Sequence, residues 1–205
     1  QYERINEFFF FFLNSKNRLS FDKQKIKEKK MINSVGIVIR IKDDIILLPR
    51  ALESVANQSY NNWYLVIVND GSMPNVVNEF VDPYKKQFGD RIQVIHNTIS
   101  VGMEAASNIG LNLLDTDYAI IHDNNTWSPE FLSRMIKILI KEQQSLPNIQ
   151  GIVCYTNRVI ETVNGNLVTI EYTEPYNHWI PAGLISLDRM LFENMFPSVS
   201  FIFSL

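Results

Sequence analysis

Four short β-rich runs, Val35–Ile39, Tyr64–Val68, Arg91–Ile95 and Tyr118–Ile121, start at intervals near 27 residues. Between them the apolar residues change to a helical period: Leu48, Ala51, Leu52 and Val55; then Val76, Val77, Phe80 and Tyr84; then Met103, Ala106, Ile109, Gly110 and Leu113. The spacing leaves room for one helix per interval, so the chain from Val35 reads as successive βαβ units. Strands that are apolar on both faces belong to a mostly parallel sheet covered by helices on both sides, which makes the fold class α/β. A fourth helix is expected to start at Ser128 as N-cap with Pro129 at its first position. It continues through Leu132, Met135, Ile136, Leu139 and Ile140 and stops before Pro147. Beyond Pro147 the pattern changes. Gly151–Ile160 and Leu167–Tyr172 flank the turn pair Asn164-Gly165 and predict an antiparallel hairpin appended to the parallel part.

Charge separates residues 1–34 from the rest. Eight of the 19 bases and only four of the 22 acids lie there, together with five consecutive phenylalanines, Phe8–Phe12. This basic, Phe-rich segment reads as an extension or linker, with peripheral membrane contact through residues 8–30 as an open alternative. It does not read as a secretory signal, because its bases follow the apolar core instead of preceding it. The domain itself is expected over 35–205, with a first half at 35–146 and a second at 147–205. Its acidic balance argues against a nucleic-acid partner. The single Cys154 excludes an internal disulfide framework. A first residue other than Met, and an end within or just after the β-like stretch at 196–203, give the expectation of a piece of a longer polypeptide.

In open α/β sheets ligands bind outside the carboxyl ends of the strands, so the residues following each run are the informative ones. They are Arg40-Ile41-Lys42-Asp43-Asp44, Asn69-Asp70-Gly71-Ser72, His96-Asn97 and His122-Asp123-Asn124-Asn125. Three of the four bring a carboxylate to the same edge. Each alone is an ordinary turn or cap signal. Together they describe a crevice rich in acceptors for sugar and ribose hydroxyls, into which a polyphosphate would need a divalent cation to follow. His122 either touches such a ligand or closes the buried strand. His178-Trp179 and the tyrosines before it suit either stacking on a sugar or core packing. No P-loop or dinucleotide fingerprint occurs.

The run from Val35 to Asp43, followed by Leu52-Glu-Ser-Val-Ala-Asn-Gln-Ser-Tyr60, Trp63 and Val66-Ile-Val-Asn-Asp-Gly-Ser72, resembles the opening of a family 2 glycosyltransferase of the GT-A fold. The likeness continues in order through Asn97, Gly102–Leu111 and Tyr118–Leu132, and so spans roughly residues 35–145. It implies a nucleotide-diphosphate sugar as donor, UDP-linked in the usual case, and a glycan, lipid-linked or protein acceptor. It also implies inverting transfer in surface polysaccharide biosynthesis, at a cytoplasmic site or the inner face of a membrane. Asp70 would bond the base, with Arg40 and Asp43 lining its pocket and Gly71, Asn97, Gly102 and Asn108 completing the donor site. Asp123 would take the first position of the family's Asp-any-Asp motif, contacting ribose or a metal-bound diphosphate. Asn125 stands at the last position, where a carboxylate normally binds Mn²⁺ or Mg²⁺. The substitution keeps an oxygen ligand but removes its charge, which predicts weakened metal binding. Ser107 stands where many relatives place an arginine. The catalytic base is expected beyond Leu205, with Glu171, Glu174 and Asp188 as candidates by chemistry alone. The alternative implied by these departures is a nucleotide- or glycan-binding module of the same fold that does not complete transfer.

Overall fold

The computed structural model describes residues 32–42, 45–123, 125–165, 167–176, 182–185 and 195–205. Strands β1 (Val35–Ile41), β2 (Trp63–Asn69), β3 (Ile92–His96) and β4 (Tyr118–Ile121) alternate with helices α1 (Leu48–Ala56), α2 (Pro74–Phe88) and α3 (Met103–Asn112). Helix α4 (Phe131–Ser145) follows, then β5 (Gly151–Val153), β6 (Asn157–Asn164), β7 (Leu167–Pro175) and β8 (Phe201–Ser204). Six strands form one sheet in the order β3-β2-β1-β4-β8-β5. The first four are parallel, whereas β8 runs antiparallel to both β4 and β5. This is the expected α/β, mostly parallel architecture with a smaller antiparallel part.

Strand parity sorts the interior into two layers. Val35, Ile37, Ile39 and Ile41 of β1 point to one face, where they pack with Leu48, Leu52 and Val55 of α1, Val77 and Val81 of α2, and Leu132, Met135 and Leu139 of α4. Val38 points to the other face and meets Val66, Val68, Ala119 and, from α3, Ala106. Helix α3 lies unusually close to the sheet. A Cβ built on Gly110 would stand 2.5 Å from Val38 Cγ1, so only glycine permits this approach.

Three local expectations are corrected. Helix α4 starts at Phe131, not at Ser128, and no side chain of its own first turn caps it. Instead Gln58, buried in the loop after α1, accepts a hydrogen bond from Leu132 N at 3.0 Å and donates to Ser128 O at 2.8 Å. A tertiary partner thus supplies the cap that Ser128 was expected to give. The stretch 151–160 is not one strand. It breaks at 154–156, so that β5 joins the main sheet while β6 pairs with β7 as a separate ribbon. The hairpin forms as expected, although its register pairs Asn164 with Leu167, so that Asn164 ends β6 and Gly165, at φ +60°, opens the turn. The β-like stretch at 196–203 is in part a 3₁₀ turn, Ser198–Ser200, which leads into β8. β5 and β8 both belong to the six-stranded sheet, so strands from beyond Pro147 share a sheet with β1–β4. Among the described residues no helix is long and apolar enough to cross a membrane. The expected membrane contact at 8–30 lies outside the described residues.

Candidate functional site

Arg40, Asp70 and Asp123 converge because parity and register agree. Each has the same parity as the α3-facing residues of its strand, Val38, Val68 and Ile121 respectively, and each stands at the carboxyl end. Val38 pairs with Ile121 across β1 and β4, so two residues further on Arg40 stands opposite Asp123. Asn69 pairs with His96 across β2 and β3, so Asp70 stands beside Asn97.

The Arg40 guanidinium forks onto Asp123. Nε donates to Oδ1 at 2.6 Å and Nη2 to Oδ2 at 2.5 Å, while Nη1 donates to Ser107 Oγ at 2.9 Å and to Met103 O at 3.1 Å. Ser107 reaches this position because α3 is pressed onto β1 at Gly110, one turn away on the same helical face. Ser198, from the turn before β8, donates to Asp123 Oδ2 at 3.1 Å. The Asp123 backbone is left-handed at φ +54°, a conformation that Asp tolerates better than most residues and that here re-aims the chain after β4.

Behind that turn lies His122, fully buried on the opposite face of the sheet. Its Nδ1 is 2.9 Å from Asp123 O and its Nε2 is 2.9 Å from Ser54 Oγ. A carbonyl can only accept, so Nδ1 carries the proton and Nε2 of the neutral ring is an acceptor for the Ser54 hydroxyl, whose one proton is shared with Ala51 O at 3.0 Å. Burial depresses its pKa to about 4 against the partial support of Asp123, and Trp127 packs edge-on with ring centroids 4.0 Å apart. His122 therefore closes a strand and braces the turn that carries Asp123; it does not face a ligand.

Asp70 is 3% exposed and fully engaged. Oδ1 accepts from Asn97 Nδ2 and Val101 N, each at 2.8 Å, and Oδ2 accepts from Ser100 Oγ at 2.8 Å and Gly102 N at 3.0 Å. Burial raises its pKa, but the four donors outweigh that and bring it down to about 2. The carboxylate thus clasps the loop from Asn97 to Gly102 that delivers α3. Gly71, at φ +121°, and Gly102, at φ +91°, supply the turns on either side. Asn108 is exposed on α3, and Asp43 lies outside the described residues. The sequence reading missed Ser54, Ser100 and Ser198, whose hydroxyls hold the carboxylates and the histidine. Only the register reveals them.

A divalent cation finds a poor donor set here. Arg40 engages both Asp123 oxygens and offsets their charge, and Asn125 directs its Nδ2 to His122 O at 3.0 Å. Among the described residues no group of three or more Asp, Glu, His or Cys is arranged to hold a metal. Hard dications prefer several oxygen ligands that carry charge, and one neutralised carboxylate with one amide does not provide them. Of the residues considered as bases, Glu171 is hydrogen-bonded by Thr162, and Glu174 accepts from Arg158 Nε at 2.8 Å; both stand on the β6–β7 ribbon. Asp188 lies outside the described residues, as does His178-Trp179. Cys154 is buried and its thiol pKa is raised to about 12, so it is no nucleophile.

Over residues 37–183 the sequence matches the profile described as Glycosyl transferase family 2. The chain belongs to this family. It is 37% identical over 86 residues to WcaA of Escherichia coli (strain K12), named as a colanic acid biosynthesis glycosyl transferase, covering 41% of this chain and 30% of that protein. It is 28% identical over 103 residues to the glycosyltransferase GlyA of Streptococcus pneumoniae serotype 4, covering 48% of this chain and 14% of GlyA. Thus the chain spans well under half the length of either relative. Among solved structures, the mannosyltransferase PcManGT from Pyrobaculum calidifontis, in complex with GDP-Man and Mn²⁺, superposes with a TM-score of 0.49 at 18% identity, over 57% of this chain and 34% of that one.

Proposed function

We propose that this chain forms the donor-binding part of an enzyme that transfers a sugar from a nucleoside-diphosphate sugar, UDP-linked as the first choice, to a hydroxyl of a glycan or lipid-linked acceptor in surface polysaccharide biosynthesis. The observation that carries the reading is the convergence of Arg40, Asp70 and Asp123 at one carboxyl edge of the sheet, in a chain of the glycosyl transferase family. The role in colanic acid biosynthesis named for the Escherichia coli relative supports the polysaccharide context. Transfer with inversion is a direct displacement. The acceptor oxygen forms a bond to the anomeric carbon as the bond to the diphosphate oxygen breaks, and the hydroxyl proton passes to a base. Asp123, braced by Arg40, Ser198 and the His122 turn, is placed to accept from ribose hydroxyls. Asp70 acts on the donor through the 97–102 loop that it shapes, since its own acceptor positions are filled. A cytoplasmic location belongs to the same reading.

Calorimetric titration of the full chain with UDP, GDP and CDP tests it. One nucleotide is expected to bind; Asp123→Ala is expected to weaken it by about tenfold or more, the value of one charge-assisted hydrogen bond, and Asp70→Ala to weaken it by releasing the 97–102 loop. If the folded chain binds none of the three, with or without Mn²⁺, the donor reading fails.

A further inference from the structure

We infer that Arg40 is the resident cation of this site, and that nucleotide binding by this chain is consequently independent of a divalent metal. The inference rests on the donor reading above, but its ground is separate: the poor fit between the residues present and a metal ion.

The Arg40–Asp123 pair is a parallel fork, the strongest geometry a carboxylate offers to a cation. A dication approaching Asp123 would have to displace that fork and would then stand beside an uncompensated guanidinium. Asn125 cannot tip the balance, because its amide oxygen brings a dipole without a charge. Asp70, the other carboxylate of the edge among the described residues, has both oxygens engaged by four donors. Nor is Arg40 free to swing away. Ser107 Oγ and Met103 O hold Nη1 against the first turn of α3, and the close contact of Gly110 with Val38 fixes that helix to the strand bearing Arg40.

The guanidinium also has the means to serve an anion. Four of its five N–H groups bond to described residues, and among these residues the second N–H of Nη2 has no acceptor. Its side chain keeps 14% of its surface exposed, beside an Asp123 side chain exposed at 25%. Arg40 therefore offers a diphosphate oxygen a fixed guanidinium N–H without a metal, and guanidinium geometry suits phosphate oxygens.

The test has two arms on the full-length chain. In the first, Mn²⁺ alone is titrated and followed by electron paramagnetic resonance for wild type, Arg40→Met and Arg40→Met/Asn125→Asp. Wild type is expected to bind weakly, Arg40→Met more tightly, and the double variant about tenfold or more tighter still as the second carboxylate is restored. Equal Mn²⁺ affinity in wild type and Arg40→Met, with circular dichroism showing both folded, overturns the inference. In the second arm UDP, GDP and CDP are titrated after chelation and again with Mn²⁺. Wild-type affinity is expected to change by less than about threefold, while Arg40→Met loses about tenfold without metal and recovers with it. Wild-type binding that disappears on chelation and returns with Mn²⁺ also overturns the inference. Should no nucleotide bind under either condition, the donor reading fails, and the Mn²⁺-alone arm still decides whether Arg40 keeps a metal out.

Discussion

His122 and Asp70 tie acid stability to the candidate site over two different ranges of pH. His122 is neutral when folded, with a pKa near 4 against 6.5 for a free imidazole. Below 6.5 the unfolded chain takes up a proton that the native chain refuses. Stability is therefore full above that pH and falls as pH drops toward 4, by about 3 kcal/mol for a shift of this size. Asp70 works further down. Its pKa of about 2 lies below the ordinary 3.8, so its contribution is present above 3.8 and is lost as pH falls toward 2. Urea unfolding of wild type and His122→Gln between pH 7.5 and 4 isolates the first effect. The variant is expected to be less stable at pH 7.5, having lost the brace to Ser54, but to show a flatter decline. Parallel curves for the two proteins would mean that His122 does not titrate as its burial requires. The role of His122 could not be read from the string His122-Asp123, because it depends on which face of the sheet each side chain takes.

At the scale of elements, the sequence already contained the alternation of strands and helices, because hydrophobic period is a local property. Arg40, Asp70 and Asp123 were recognisable from their places after apolar runs. What the sequence could not show was the Arg40–Asp123 fork, since it depends on a β1–β4 register between segments 83 residues apart. The same limit explains Ser128: its local cap signal lost to Gln58, a partner brought in by packing. Gly110 is the hinge of the site-bearing elements. Its absent side chain lets α3 settle on Val38, and that seating carries Ser107 to Arg40. Gly110→Ala is expected to push the helix outward and cost about 1–3 kcal/mol, as overpacking does, despite alanine's better helix propensity. Val38→Ala in the same chain should recover much of that loss, because it opens the space the new methyl needs. Chemical denaturation of the two single variants and the double variant completes the cycle, and strictly additive losses would show that the contact at 110 does not set the position of α3.

For the whole molecule, the decisive feature is the insertion of β8 between β4 and β5. It draws residues from the far end of the chain into the sheet, so Ser198 can touch Asp123 and Trp127 can donate to Val199 O at 3.0 Å. The β6–β7 ribbon is built on other terms. Val163, Leu167, Ile170 and Tyr172 are all more than two-fifths exposed, and a two-stranded ribbon has no second layer to bury them. Its described tie to the helical layer is an ion pair from Arg50 of α1 to Glu161. Local stability should divide accordingly. Amide hydrogen exchange is expected to be slowest in β1 and β2, each flanked by strands on both sides, and faster by orders of magnitude in β6 and β7, which open without disturbing the main sheet. Arg50→Ala should speed exchange in the ribbon further while leaving β1 unchanged, since the ion pair bridges the two units without entering the core. If β1 and β6 instead exchanged at matching rates, and both responded to Arg50→Ala, the ribbon would belong to the cooperative unit of the sheet. Motion in it would then be transmitted to Arg40 and Asp123, a coupling that the separate hydrogen-bonding of the two sheets argues against.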